Sequence, residues 1–330
     1  MTADLSLDIA ALAEQVCAGN RRALARALNL LDDARESARE QAARFLETLA
    51  GRSAAASAHL VGMTGPPGVG KSSLGAALIR EWRRRGLRVG VLAVDPSSPV
   101  TGGALLGDRL RMQASTEDDG VFVRSLSNRG EFGGLSAEVW PMSVVMLACF
   151  DVVLIETVGV GQREVDIARM CDTTCFVAQP GSGDTIQFLK AGILEVPHIL
   201  VVNKADMGDV ANRTRRELAS SLGREHADGG WEIPVIATSA TRNEGVAQLV
   251  DTIEQHRQAL LGRQSLTSRR SSYQAYWLLK RLGGEFGSYG IDTLGGYDAL
   301  ARELQDEALN PFTQYAALRA RLLKQFNNEL

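Results

Sequence analysis

The run Val152–Thr157 reads Val-Val-Leu-Ile-Glu-Thr, four apolar residues in succession without in/out alternation, as in a strand buried on both faces. Short β-branched runs also fall at 60–64, 88–94, 121–124, 174–178, 199–202 and 235–238, with helically spaced stretches between them. Strands alternating with helices predict an α/β fold with a mainly parallel central sheet flanked by helices. Between the first two runs, Leu74, Leu78 and Trp82 line one helical face, and Arg83-Arg84-Arg85-Gly86 marks that helix's end. The arginine triplet has two readings: an anion site, or cations complementing the negative end of the helix dipole.

Both ends of the chain are helical in pattern. Ile9, Leu12 and Val16 share a face, as do Leu24, Leu28 and Leu31, with Gly19-Asn20 as the break between them. Residues 51–57 are small and polar, a linker by composition, and a new domain begins near His59. Towards the C-terminus, Gly283-Gly284 and Gly295-Gly296 are expected to separate helices, and Asn310-Pro311 resembles an N-cap followed by a first-turn proline. Phe312, Tyr315, Leu318, Leu322 and Phe326 form a stripe that faces either the protein's own core or another subunit. The expected division is therefore an N-terminal helical region 1–56, an α/β domain 57–262 and a C-terminal helical region 263–330.

Composition narrows the classes. The 330 residues are 45% hydrophobic and 23% charged, which fits neither a disordered nor a collagen-like chain. Thirty-six Lys and Arg against 39 Asp and Glu give a net charge of −3, which disfavours a broad basic surface for nucleic acid. The N-terminus lacks a basic start followed by an apolar core, so no targeting peptide is expected. The longest apolar run, 144–150, stops at Asp151, far short of the roughly 20 residues that span a bilayer. The expectation is a cytoplasmic protein without membrane contact. Cys171 and Cys175 are close in sequence, but His59, His198, His226 and His256 are scattered, so no local zinc set forms. Buried free thiols in a reducing compartment are the expected state of the cysteines.

The chemistry begins at Gly65-Pro66-Pro67-Gly68-Val69-Gly70-Lys71-Ser72, followed by Ser73, which matches GxxxxGK[ST] directly after a strand and before a helix. Glycines there let backbone N–H groups surround phosphate oxygens, Lys71 neutralises the β and γ groups, and Ser72 offers a hydroxyl to Mg²⁺. Asp95 ends the second strand, at the sheet edge where ligands of open parallel sheets collect. Asp108 lies in the glycine-containing loop 101–109, able to bring a second carboxylate to the phosphates; the alternative is a helix-capping or solvated residue. Glu156 ends an apolar strand and opens Glu156-Thr157-Val158-Gly159, the position of a Walker-B-type, magnesium-directed acid before a γ-phosphate-sensing glycine.

Asn203-Lys204-Ala205-Asp206 follows another apolar run and fits the NKxD pattern of guanine readers. Asp206 can accept from guanine N1–H and its exocyclic amine, whereas adenine presents a lone pair at N1 and no amine at C2. Asn203 can serve the other edge of the base, and the Lys204 stem can cover its ring. Thr238-Ser239-Ala240, after the last strand, supplies backbone N–H groups for the guanine oxygen.

These motifs, with Asp95-Pro96-Ser97-Ser98-Pro99, Asn128-Arg129-Gly130, Gly133-Gly134 and the stretch from Glu156 to Gln162, closely resemble the MeaB/ArgK family of P-loop GTPases over most of the chain. The resemblance implies a P-loop NTPase fold of the signal-recognition-particle and MinD-like branch, binding GTP or GDP with Mg²⁺. It implies a chaperone of adenosylcobalamin-dependent acyl-CoA mutases such as methylmalonyl-CoA mutase, which gates cofactor loading and protects or reactivates the mutase. An adenosyltransferase joins the implied partners, together with a second copy of the chain through the C-terminal helices. On the same basis Lys71, Ser72, Asp95, Asp108 and Glu156 form the phosphate and magnesium set, and 179–187 the loop that responds to the mutase.

Ras-like enzymes place a water-orienting Gln just after the sensing glycine; here Val160 follows Gly159 and Gln162 comes two residues later. Slow intrinsic hydrolysis, stimulated by a partner, is therefore expected. Two other classes compete. A protein kinase is suggested by the family's older arginine-transport naming, but no acceptor-binding insert is visible. A metal-insertion GTPase would carry a His-rich or Cys-rich tract, and there is none.

Overall fold

The computed structural model describes residues 8–33, 35–50, 57–95, 118–127, 138–157, 167, 169–181, 197–222, 226–227, 230–262, 265–304 and 311–329. Among these, the chain runs α1 (Ile9–Cys17), α2 (Arg21–Asp32), α3 (Glu36–Ala50), β1 (His59–Thr64), α4 (Lys71–Arg84), β2 (Val89–Asp95), β3 (Val121–Ser127), α5 (Val139–Leu147) and β4 (Val152–Thr157). It continues through β5 (Thr173–Ala178), β6 (Ile199–Val202), α6 (Asp209–Leu222), β7 (His226–Ala227), β8 (Trp231–Glu232), β9 (Val235–Ala237) and α7 (Val246–Gly262). Last come α8 (Ser265–Thr293), α9 (Tyr297–Glu303) and α10 (Pro311–Glu329). Two compact units result: Ala58–Ser136 with Phe150–Leu266, and Met1–Ser57 with Ala137–Cys149 and Thr267–Leu330.

In the first unit seven parallel strands lie in the order β3-β2-β4-β1-β5-β6-β9, with the two-stranded β7-β8 ladder apart. All seven expected runs are strands; 152–157 and 199–202 match at both ends, and the others are displaced at an end by one to three residues. The two faces of the central strands are buried by different helices. Val177 and Val201 share a cluster with Leu74, Leu78 and Trp82 of α4 and Leu249 and Ile253 of α7. Their neighbours Phe176, Leu200 and Val202 pack instead with Ala211, Leu218 and Leu222 of α6. Burial on both faces is why these runs lack alternation, and each fully buried Leu or Val contributes about 1.5–3 kcal/mol. β1 lies between β4 and β5, so the chain leaves its carboxyl end at the point where strand order reverses, the usual ligand crevice of open parallel sheets.

The arginines at the end of α4 are engaged by carboxylates of the chain itself. Arg83 is bidentate to Asp118 at 2.8 and 2.9 Å, and Arg84 and Arg85 both bind Glu81. Arg85 also reaches Asp251 on α7 at 2.6 Å, tying the two helices of that face. Three of the four scattered histidines are brought together by the fold. His59 Nε2 and His256 Nδ1 each lie 2.7 Å from Thr173 Oγ1, and His198, 4.4 Å from His256 between ring centroids, accepts from Thr174 N–H. This cluster sits where β1, β5 and β6 begin, the sheet edge opposite the phosphate loop. Among the described residues no His, Cys, Asp or Glu group is arranged to hold a metal. Cys171 and Cys175 are buried thiols outside any disulfide; burial raises Cys171 and pushes Cys175 up to about 12.

In the helical unit, Asn20 caps α2 by accepting from Arg22 and Ala23 N–H, after the left-handed Gly19 ends α1. The expected break at Gly283-Gly284 is absent: α8 runs through both, and helical geometry is interrupted at Gly287 (φ 68°, ψ −174°). Glycine inside a helix costs only about 1 kcal/mol relative to alanine, which is too little to break α8 at this pair. The pair Gly295-Gly296, both with positive φ, does separate α8 from α9. On α10, Leu318 and Leu322 are buried, Phe326 stacks on Phe286 of α8, and Tyr315 donates to Glu285 at 2.7 Å. These four members of the stripe therefore face the chain's own core; the Phe312 side chain and Asn310 lie outside the described residues. Among the described residues no helix is long and apolar enough to cross a membrane.

Candidate nucleotide site

Gly65 follows β1 with φ +142°, and a Cβ there would stand 2.1 Å from Val177 O of β5, so only glycine lets the loop leave the sheet along this path. Gly68 and Gly70 also have positive φ, and Gly70 is the N-cap of α4 with no side-chain cap. The helix start thus presents backbone donors and the positive end of its dipole to the loop. Lys71, nearly fully buried, curls back to donate to Gly65 O at 2.7 Å and Pro66 O at 2.9 Å. Those carbonyls hold its ammonium within the cradle. Pro66 and Pro67 shape the rising limb, Val69 is buried in the core beneath it, and Ser73 continues the first turn of α4.

Ser72 Oγ donates to Glu156 Oε1 at 2.6 Å. The end of β4 therefore meets the start of α4, and two hard oxygen donors 84 residues apart, of the kind that could hold Mg²⁺, share one place. Beside them Thr157 Oγ1 donates to Thr64 Oγ1 at 3.2 Å, joining β4 to β1 just below the loop.

The base-side turn begins where β6 ends. Asn203 Nδ2 donates to Val69 O at 2.9 Å and more distantly to Gly70 O, while its Oδ1 accepts from Thr238 Oγ1 at 3.2 Å and Ala240 N–H at 3.4 Å. Its amide therefore braces the phosphate loop against the loop after β9, where sequence alone directed it to the base edge. Lys204 adopts the left-handed conformation (φ 59°) and donates to Gly68 O and Gln179 Oε1, both at 2.8 Å. Asp206 is exposed on the short 3₁₀ turn Ala205–Met207 and accepts from Ser239 Oγ at 2.6 Å. That bond, its own backbone N–H, and nearby Arg242 and Lys204 hold its carboxyl below the usual range, so at neutral pH it is a pure acceptor. Ser239 N–H is taken by Glu244 O at 2.9 Å, leaving the long-bonded Ala240 N–H as the better placed backbone donor.

The structure thus brings Gly65, Pro66, Pro67, Gly68, Val69, Gly70, Lys71, Ser72, Ser73, Glu156, Asn203, Lys204, Asp206, Ser239 and Ala240 to the carboxyl edge of one sheet. Asp95 ends β2 at the same edge, with its side chain outside the described residues; Asp108, Gly159 and Gln162 lie outside them entirely. Of 179–187, Gln179, Pro180 and Gly181 are described. Sequence reading placed Thr238 in a backbone-donating loop and Gln179 at the start of a partner-responsive one; it missed their side-chain contacts, Thr238 Oγ1 to Asn203 and Gln179 Oε1 to Lys204. The available signal was position alone, since each directly follows a strand at the ligand edge.

A parallel sheet with a phosphate loop after its central strand and an Asn-Lys-Ala-Asp turn five strands later in the chain, after β6, defines a P-loop GTPase. A family model described as methylmalonyl-CoA mutase-associated GTPase MeaB matches residues 24–285, and the chain belongs to that family. A Pyrococcus abyssi protein bearing a provisional GTPase name is 47% identical over 254 residues, 76% of each chain. GTPase ArgK of Escherichia coli is 38% identical over 232 residues, covering 67% of this chain and 68% of ArgK. The crystal structure of an LAO/AO transport system kinase superposes with a TM-score of 0.68 over 96% of this chain and 97% of its own, at 24% identity, a likeness of fold. The protein accordingly binds GTP and GDP and hydrolyses GTP.

Proposed function

We propose that this GTPase is a switch serving an adenosylcobalamin-dependent acyl-CoA mutase, gating cofactor loading and protecting or reactivating the mutase. The family's description supports the mutase connection. An adenosyltransferase that hands over the cofactor is the natural second partner. The nucleotide half of the reading is carried by one observation, the Asn203 amide joining the phosphate loop to the base loop. In this division of labour residues 57–262 carry the chemistry and 263–330 the contact between two copies. Tyr289, Tyr297 and Leu323 are exposed on those C-terminal helices and suit such a contact.

On binding, Lys71 exchanges the Gly65 and Pro66 carbonyls for β and γ oxygens, and its charge offsets that of the departing γ-phosphoryl group. The all-oxygen pair Ser72 and Glu156 fits Mg²⁺, with Asp95 and Asp108 completing its support. When bound, the ion neutralises charge on the β and γ oxygens. Asp206, oriented by Ser239, accepts from N1–H and the 2-amine of guanine, the Lys204 stem covers the ring, and Ala240 N–H addresses the base oxygen. Water attacks the γ-phosphorus as its bond to the bridging oxygen breaks, giving GDP and phosphate. With Val160 following Gly159, a water-orienting group has to come from a partner, and hydrolysis by the chain alone is slow.

The kinase alternative draws on the name borne by a fold relative, and 24% identity carries fold without activity. Calorimetric titration with GDP and ADP tests the base assignment. GDP binds at least about a hundredfold tighter, since an ADP base leaves Asp206 facing an acceptor, and Asp206→Asn erases most of that preference. Equal affinity of the intact chain for both nucleotides overturns it.

A further inference from the structure

We propose that Gln179 is a positioning residue of the guanine site, acting through Lys204; the inference rests on the guanine reading above. Lys204 is one of two described non-glycine residues with positive φ, a backbone state rare for L-residues that persists when the surroundings hold it. What holds it is visible at the far end of the side chain. The ammonium donates to Gly68 O in the phosphate loop and to Gln179 Oε1 beyond β5, each at 2.8 Å. Three segments therefore meet on one cation: the loop after β1, the chain after β5 and the turn after β6.

The two acceptors play different parts. Gly68 O belongs to backbone that the P-loop motif already fixes. Gln179 supplies a second, side-chain acceptor for the same cation, and together the two fix where the stem lies. Two residues along the same turn, Asp206 takes its position from Ala205 N–H bonded to Thr238 O and from Ser239. Releasing the Gln179 bond lets the Lys204 stem swing from its place over the base and loosens the entry to the turn that presents Asp206. A hydrogen bond to a charged donor at a half-exposed position is strong enough to register in nucleotide residence without being needed for folding.

The test follows dissociation of ribose-labelled fluorescent GDP from the full chain by stopped flow, with melting of the nucleotide-free protein alongside. Gln179→Leu accelerates dissociation about tenfold, equivalent to about 1.4 kcal/mol. Gln179→Glu, which keeps an acceptor for the ammonium, stays within about twofold of the parent. In a Lys204→Met background Gln179→Leu adds nothing, because the two residues act as one unit. Should Gln179→Leu melt lower than the parent, Gln179→Met, closer to glutamine in length and flexibility, carries the same comparison. Dissociation within about twofold of the parent for the leucine variant, or an equal acceleration in the Lys204→Met background, overturns the inference. A chain that prefers GDP over ADP yet is indifferent to Gln179→Leu defeats this inference alone; one without that preference defeats the guanine reading first.

Discussion

Gly65 shows how far a single position can commit the phosphate loop. Its φ of +142° and the 2.1 Å approach that an added methyl would make to Val177 O act together, and the obstructing atoms are backbone rather than a flexible side chain that could yield. Gly65→Ala should lower stability by about 2–4 kcal/mol and weaken GDP binding, read by urea unfolding and titration on the same sample. Parent-like behaviour in both would show that the loop can leave β1 by another path. The residues of this loop were legible because the motif specifies backbone freedom and charge at adjacent positions. Asn203 was legible as a member of the site but not in its role. Its partners Val69 O and Gly70 O are backbone atoms more than 130 residues away, and no sequence pattern announces a side chain that binds main chain at that distance. Gln179 was named only as the start of the loop 179–187, and its contact with Lys204 was hidden for the same reason, since only the fold brings that lysine to it.

Helix α4 links the site to the sheet, and its C-terminal turn is fastened by charge. Glu81 is buried and accepts from both Arg84 and Arg85, which hold its carboxyl down at about 2 against an ordinary 4.5. A depressed carboxyl stabilises the fold above its unfolded value and loses that contribution as pH falls through the folded one. The parent should therefore exceed Glu81→Gln in stability by about 1–2 kcal/mol at pH 7, and the gap should close between about pH 4.5 and pH 2. Urea unfolding of both proteins at pH 7 and pH 3 measures it; a gap that is constant with pH would assign the difference to packing. The strands of this unit were readable from unbroken β-branched runs because both faces are buried. At the edge, β3 runs three residues past the expected stretch, since ladder pairing with β2 carries the polar Ser125 and Ser127 on either side of buried Leu126. The helix break assigned to Gly283-Gly284 failed in the opposite way: two glycines lower propensity too little to end α8, and its geometry is interrupted at Gly287.

The largest gain of the fold over the sequence is convergence. Carboxyl ends of the parallel strands gather residues from 65 to 240 into one nucleotide site, and their amino ends gather His59, Thr173, His198 and His256 into one buried hydrogen-bonded cluster. The α/β class and the GTPase family were legible because a few short motifs stand at strand ends; the histidine cluster was not, because nothing in its spacing is periodic. Under the proposed function, full catalytic rate belongs to the protein together with its partner. Single-turnover hydrolysis of radiolabelled GTP by the purified chain should be slow and should accelerate by at least about tenfold when the cognate mutase is added. Rapid turnover by the chain alone would place the water-orienting group within it.

The brace formed by Asn203 has a consequence for ancestry. One carboxamide holds the anion-binding and purine-reading halves in register. A descendant that remodelled the turn after β6 would have to keep this amide in place, because the same group holds Val69 and Gly70 of the phosphate loop, and a change in one half would be expected to erode the other.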